Sequence, residues 1–256
     1  MAKSSDDSDP SVFYSQVILA LGVIAYTYIY MKFVRLHLYA FFWARICNVI
    51  HDKIHRVKKN LFDEQFAELK RQLNKDQLKV LEIGIGSGAN FDYYPKNCQV
   101  TCVDKNDSFY DAWKNKIKNE ARSDLTVNSF IINEAENMYS IESNTYDAVV
   151  HTFCLCSVND ISLVFKEIYR VLKPGGICIF IENSRDVENP VYGMIQMLLQ
   201  PLWSFLLDNW KFHEMDKVVE TQSRCDIVEI KKFRIPDMKL FMLNPIVYGV
   251  TRKTVN

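Results

Sequence analysis

The stretch Val80–Asn90, VLEIGIGSGAN, constrains the fold more than any other part of the chain. The run from Leu78 to Ile83 is apolar and suits a strand buried on both faces. It leads straight into Gly84, Gly86 and Gly88, and then into a segment that reads as the start of a helix. Glycine lets backbone turn sharply and approach a ligand with no Cβ in the way. The next strand-like run, Gln99–Asp104, ends on a carboxylate 20 residues after the first glycine. In nucleotide-binding α/β folds an acidic side chain at that point meets ribose hydroxyls. Taken alone, Asp104 could equally be a helix N-cap. The glycine spacing is GxGxG rather than the GxGxxG that cradles a pyrophosphate, and Glu82 stands just before it. This pattern suits an adenosyl ligand that carries no pyrophosphate, such as one bearing an amino acid and a sulfonium.

From about residue 60 onward, strand-like runs alternate with amphipathic stretches. Leu125–Ile132, Tyr146–Cys154 and Ile177–Glu182 read as strands, and Phe109–Ala121, Ile161–Leu172 and Met194–Leu207 as helices. Apolar strands separated by helices predict a parallel sheet covered on both faces. Within Glu167–Asn183 the order is helix, a Pro-Gly-Gly turn at Pro174–Gly176, then strand. Asp226–Ile235 and Pro245–Lys253 come one after the other with no helix long enough for a crossover, which predicts an antiparallel closing pair.

The N-terminal quarter has a different character. Residues 1–10 are polar and acidic, a disordered lead-in. Residues 11–31 hold no charge, and about 20 helical residues match a hydrocarbon core of about 30 Å. An acidic start and an end in Tyr28, Tyr30 and Met31 argue for a retained transmembrane or signal-anchor helix over a cleaved signal peptide. Beyond it, residues 32–59 carry Lys32, Arg35, Arg45, Lys53, Arg56, Lys58 and Lys59 against the single Asp52, which predicts that the catalytic domain faces the cytosol. Phe33, Leu36, Ala40, Trp43, Cys47 and Ile50 share one helix face, suited to lying in a membrane interface or to packing on the domain.

Lys+Arg and Asp+Glu balance at 31 each, so no basic field calls for a nucleic-acid partner. Cys102, Cys154, Cys156 and Cys178 fall in apolar runs and read as small buried hydrophobes. Cys98 and Cys102 have no second pair or nearby histidine, so no metal site is expected. A reduced, cytosolic domain fits seven cysteines used this way.

LEIGIGSGAN, the strand-ending Asp104 and RVLKPGG together resemble the class I S-adenosylmethionine-dependent methyltransferases, over roughly residues 78–183. The resemblance implies an α/β, Rossmann-like sheet of seven strands, mostly parallel with an antiparallel last strand, over residues 60–256. The order of an apolar N-terminus, KKNLF, GANFDYYP, VTCVD, AENM, LCSV and PLWSFLLD is similar to the membrane-bound methyltransferase-like protein 7 family. That likeness implies S-adenosyl-L-methionine as cofactor and a small thiol as acceptor. It also implies residence at the endoplasmic reticulum membrane or lipid droplets. The implied cofactor set is Glu82, Gly84, Gly86, Gly88, Asn90 and Asp104, with Glu134, Ala135, Glu136 and Thr152. Either Glu134 or Glu136 would be the acidic residue at the adenine. The chain departs from the family pattern at Asn183, at Asn209–Trp210 and at His151, where a cysteine is common.

Methyl transfer from a sulfonium is an in-line displacement, so the protein must align the reactants and keep water out. A thiol, with a pKa near ~8.5, ionises enough without a strong base, whereas an oxygen or amine acceptor needs one. His151 and Asp208 are the candidate catalytic residues, with His213 a further candidate base. A packed, satisfied histidine and a helix-terminal polar residue are the structural alternatives. Trp203, Phe205 and Trp210 suit a pocket for an apolar acceptor or, equally, a core. Three functions stay open: thiol S-methylation, O- or C-methylation of a lipid or quinone, and S-adenosylmethionine binding without turnover at a membrane or lipid droplet.

Overall fold

The computed structural model describes residues 10–255 apart from 112, 116–124 and 236–242, with only part of the side chains between 32 and 51. Seven strands form one sheet: β1 (Leu78–Ile83), β2 (Cys98–Asp104), β3 (Leu125–Ile132), β4 (Tyr146–Thr152), β5 (Leu172–Asn183), β6 (Asp226–Phe233) and β7 (Ile246–Arg252). Their order is β3-β2-β1-β4-β5-β7-β6. The first five are parallel, and β7 runs antiparallel to both β5 and β6. The chain reverses direction across the sheet between β1 and β4, and ligands of open α/β sheets bind beyond the strand ends at such a point.

Alternate residues of each strand feed two cores. Val80, Val100, Ala148, Val150 and Ile179 face one side, and Leu81, Ile83, Val149, Cys178 and Phe180 the other. The second side is covered by α3 (Ile161–Val171), whose Ile161, Val164, Phe165 and Ile168 are buried. Asp160 caps it by accepting the amides of Ser162 and Leu163, a contact worth about 1 kcal/mol. The first side is covered by α2 (Arg35–Leu73), through Ile50, Ile54, Phe62, Phe66 and Leu69.

Several expectations need correction. The glycine loop leads into a short 3-10 turn, Phe91–Tyr93, where the sequence pattern predicts an α-helix. Pro95 limits that segment, and the layer that such a helix would build is filled by α2. The expected boundary between residues 59 and 60 falls inside α2, which runs about 58 Å at 1.5 Å per residue without a break. Of the apolar face suited to the membrane interface, Ala40, Trp43 and Ile50 are buried in the domain core; the side chains of Phe33, Leu36 and Cys47 lie outside the described set. The Pro-Gly-Gly turn is a bulge within β5: Leu172 pairs with Tyr146 and Ile177 with Ala148, and Gly175 takes a φ of +78°. Most of the expected helix 109–121 lies outside the described residues.

Ahead of α2, α1 (Pro10–Ile29) buries none of its residues and joins it through one wide turn, Tyr30–Val34. With a hydropathy of 1.7 over its most apolar window, α1 is long and apolar enough to cross a membrane. Two further helices, α4 (Pro190–Leu206) and α5 (Met215–Gln222), lie between β5 and β6 in the chain.

Gly249 in β7 tests the sheet. A Cβ there would collide with the Glu229 carbonyl oxygen and stand 3.0 Å from the Phe180 ring. Gly249→Ala should therefore cost about 1–3 kcal/mol, and each kcal/mol lowers the melting temperature by about 2–4 °C in a domain of this size. Calorimetric melting that matches the wild type would contradict this β6–β7–β5 packing.

Candidate active site

A cavity opens at the carboxyl ends of β1, β2 and β4, lined by Gly84, Gly86, Asp104, Ala135, Glu136, Thr152 and Asp208, among others. Gly86, with φ +50°, has nothing within 4 Å of where a Cβ would be, so its backbone borders open space. Its N–H donates to Asp104 Oδ2 at 3.0 Å, and the Asn106 N–H donates to Oδ1 at 2.9 Å. These bonds fix the carboxylate at the cavity wall and leave lone pairs for a ligand's hydroxyls. Burial raises the Asp104 carboxyl above its ordinary range, against the two amide bonds.

The other two glycines serve packing. A Cβ on Gly84 would meet Cys154 Sγ at 2.7 Å, and one on Gly88 would meet the Phe91 ring at 2.9 Å. Gly84 lines the cavity and Gly88 does not. Glu82 and Asn90 also stay behind the loop. Glu82 accepts from Asn90 Nδ2 at 2.8 Å and from the Tyr94 hydroxyl at 2.8 Å, and Asn90 Nδ2 reaches Thr152 Oγ1 at 3.1 Å. Lys58 of α2, fully buried, donates to the Ala89 carbonyl at 2.9 Å and sits 4.4 Å from the Tyr93 ring centre.

The two acidic candidates after β3 are placed differently. Glu136 lines the cavity, and its Oε1 accepts the Asn159 N–H at 2.6 Å at the start of α3. Glu134 is exposed and does not line this cavity. Asp208 enters the cavity paired with Lys105, Nζ to Oδ2 3.0 Å, while Lys105 also donates to the Ser157 carbonyl. This pair ties the chain after α4 to the end of β2.

His151 is not at the cavity. It stacks on Phe180, with Nδ1 2.7 Å from Glu182 Oε1 and both side chains fully buried. Glu182 also accepts the N–H groups of Cys154 and Leu155, so the pair holds the segment that forms the cavity wall. His213 does not line the cavity either, and burial lowers its pKa. Cys154 does line it, and burial pushes its thiol well above the ordinary range, as it does for Cys156.

Residues that the sequence did not single out complete the wall: Lys105, Asn106, Phe109, Asn133, Phe153 and Ser157. Several of them adjoin residues with a sequence signal: Lys105 and Asn106 follow Asp104, Asn133 precedes Glu134 and Phe153 follows Thr152. Trp43 of α2 also reaches the cavity and packs edge-on against Phe153 and Trp210, at 6.4 and 5.0 Å between ring centres.

Burial raises the Glu82 carboxyl from 4.5 to about 7, with Tyr94, Asn90 and Lys58 opposing the rise. A proton held more tightly in the folded state means that stability falls as pH rises from about 4.5 to about 7 and then levels off. Glu82→Gln removes this loss, on the order of 3 kcal/mol at pH 8. The melting temperature of the variant relative to wild type should therefore rise between pH 5 and pH 8. A difference that does not change with pH would contradict a neutral-range Glu82.

Comparison with known proteins agrees with this geometry. Residues 81–180 match the methyltransferase domain family. The chain is 36% identical over 179 residues to the thiol S-methyltransferase TMT1B of Rattus norvegicus, covering 67% of this chain and 71% of that protein. It is 32% identical over 204 residues to the thiol S-methyltransferase TMT1A of Homo sapiens, covering 75% and 82%. Its fold is similar to the crystal structure of a SAM-dependent methyltransferase from Methanosarcina mazei, with a TM-score of 0.56 at 20% identity over 71% of this chain and 95% of that one. Gly86 facing open space beside a fixed Asp104 fits S-adenosyl-L-methionine, the cofactor of such enzymes. The chain is a class I S-adenosylmethionine-dependent methyltransferase and belongs to the family of the thiol S-methyltransferases TMT1A and TMT1B.

Proposed function

We propose that the enzyme methylates the sulfur of small lipophilic thiols while α1 holds it to a membrane. The observation that carries the thiol reading is the engagement of each acidic group at the cavity. Asp104 is held by two amides, Glu136 by the start of α3 and Asp208 by Lys105, and among the described residues no histidine lines the wall. A site without a ready base suits an acceptor that ionises by itself, and a thiol does so near ~8.5. The names of the TMT1 relatives support the same choice.

In this reading Asp104 receives the ribose hydroxyls, the Gly84–Gly86 backbone borders the amino-acid end, and Ala135 with Glu136 meets the adenine. The bound cofactor supplies an electrophilic methyl group on a sulfonium. Glu82 and Asn90 position the loop from behind, and His151 with Glu182 positions Phe153–Leu155. Trp43 and Phe153 present aromatic surface to the acceptor side and exclude water. The basic residues after α1 and the acidic ones before it support a catalytic domain on the cytosolic side. The family resemblance supports endoplasmic reticulum or lipid droplets as the compartment.

Two experiments test this. Asp104→Ala removes hydrogen bonds to a charged group, each worth about 1.5–3 kcal/mol, and should weaken S-adenosylmethionine binding tenfold or more by calorimetry with the fold intact. Unchanged affinity would take Asp104 out of the site. The second is initial rate against pH for three thiols of different pKa, in wild type and in His151→Cys. Each thiol's kcat/KM should climb toward its own pKa, about tenfold per pH unit below it, in both proteins. One profile shared by all three thiols and lost in the variant would mean that His151 is a base. Turnover of a phenol or quinone but of no thiol would overturn the acceptor.

A further inference from the structure

We propose that α4 lies on the bilayer that receives α1, with its outward face set into the headgroup region. The inference rests on the membrane reading under Proposed function and adds a second contact to it. The helix PVYGMIQMLLQPLWSFL contains no charged residue. Its solvent side is the apolar one: Val191, Met194, Leu198, Leu202 and Phe205 are 58, 57, 72, 51 and 43% exposed. Their steps of three and four residues make one continuous stripe, and Met197, 56% exposed, widens it. The inner side is already occupied, since Gly193 and Gln196 are buried and Trp203 packs into the core. A helix on a protein surface ordinarily turns polar residues outward, and a large apolar stripe marks an interaction face.

The position of the stripe identifies what covers it. Phe205, at its end, stacks on Tyr30, with ring centres 6.1 Å apart and 24° between planes. Tyr30 is the first residue past α1, so the stripe begins where the fully exposed apolar helix ends. Tyr26 and Tyr28, both exposed, add to an aromatic belt of the kind found at the membrane–water boundary. At the stripe's edge Arg185 places Nη1 3.4 Å from Met197 Sδ and pairs with Glu214. An apolar face with a cation at its border suits a helix buried about 5–10 Å into the headgroup boundary. A second copy of the chain would meet the same stripe but leaves its continuity with α1 unexplained.

The placement also gives the acceptor a route. Asp208, two residues after α4, lines the cavity, and Trp210 packs on Trp43, which lines it too. With α4 on the bilayer, this wall of the cavity lies beside the lipid phase where lipophilic thiols dissolve.

The test uses the full chain in phosphatidylcholine vesicles. A cysteine introduced at Leu198, at Met194, at Ile24 of α1 or at Leu163 of α3 carries an environment-sensitive fluorophore, with the signal of the labelled parent subtracted. Leu163 is exposed on the helix that covers the other sheet face. With nitroxide-bearing lipids, labels at Leu198, Met194 and Ile24 should lose most of their fluorescence, and the label at Leu163 should keep it. Quenching at Ile24 with none at Leu198 or Met194 would overturn this inference and leave the anchor standing. No quenching at any position would remove the anchor and this inference together. Crosslinking between Leu198→Cys chains without quenching would assign the stripe to a second copy and likewise overturn it.

Discussion

One carboxylate buried at the end of β1 sets the conditions for everything around the cavity. Glu82 has no solvent, so its oxygens must be satisfied by the chain itself, and Asn90 and Tyr94 are the groups that reach it. Turning both side chains inward pins residues 90–94 in a tight turn, which explains why no α-helix comes after the glycine loop. The same turn presents Ala89 to Lys58 and holds Asn90 against Thr152. The loop that borders the cavity is thereby braced to β1, β4 and α2 at once, and its glycines stay in left-handed backbone conformations.

The gap left by the missing helix is filled from the N-terminal side. Because α2 supplies Phe62, Phe66 and Leu69 to the core and Trp43 to the cavity wall, it is part of the catalytic domain. The segment that leaves the membrane-suited helix is therefore the one that closes the site. α1 itself buries no residue and is connected to the catalytic domain through α2, which packs in the core. A wide turn of five residues between α1 and α2 is the only interruption in that path.

The strands and the cavity-lining Asp104 were legible because their signals are local: β-branched runs, three glycines and a strand-ending carboxylate. The closing antiparallel pair was legible from two strand-like runs whose connection is too short to hold a crossover helix. Less could be read where neighbours come from distant parts of the sequence. Glu134 and Glu136 look alike until the start of α3 offers amides to one of them. Lys105, Ser157 and Trp43 meet at one cavity only after three elements pack. His151 reads from the sequence as a titratable group near a strand end, but the partners that hold it come from β5, about 30 residues on. Thr152, the next residue, lines the cavity, while the His151 ring is buried against Phe180 and Glu182. The apolar face after residue 32 carried two readings, and the side chains of Ala40, Trp43 and Ile50 settle on the domain.

Every role proposed for these residues depends on one cavity receiving the cofactor between the glycine loop, the end of β2, the turn after β3 and the segment after β4. Amide hydrogen exchange of the full chain, with and without S-adenosylmethionine, measures this directly. Slowed exchange should appear together in residues 84–88, 104–109, 133–138 and 153–158, with α4 unchanged. Protection confined to residues 185–198, or none in the glycine loop while the cofactor is bound, would contradict the assignment.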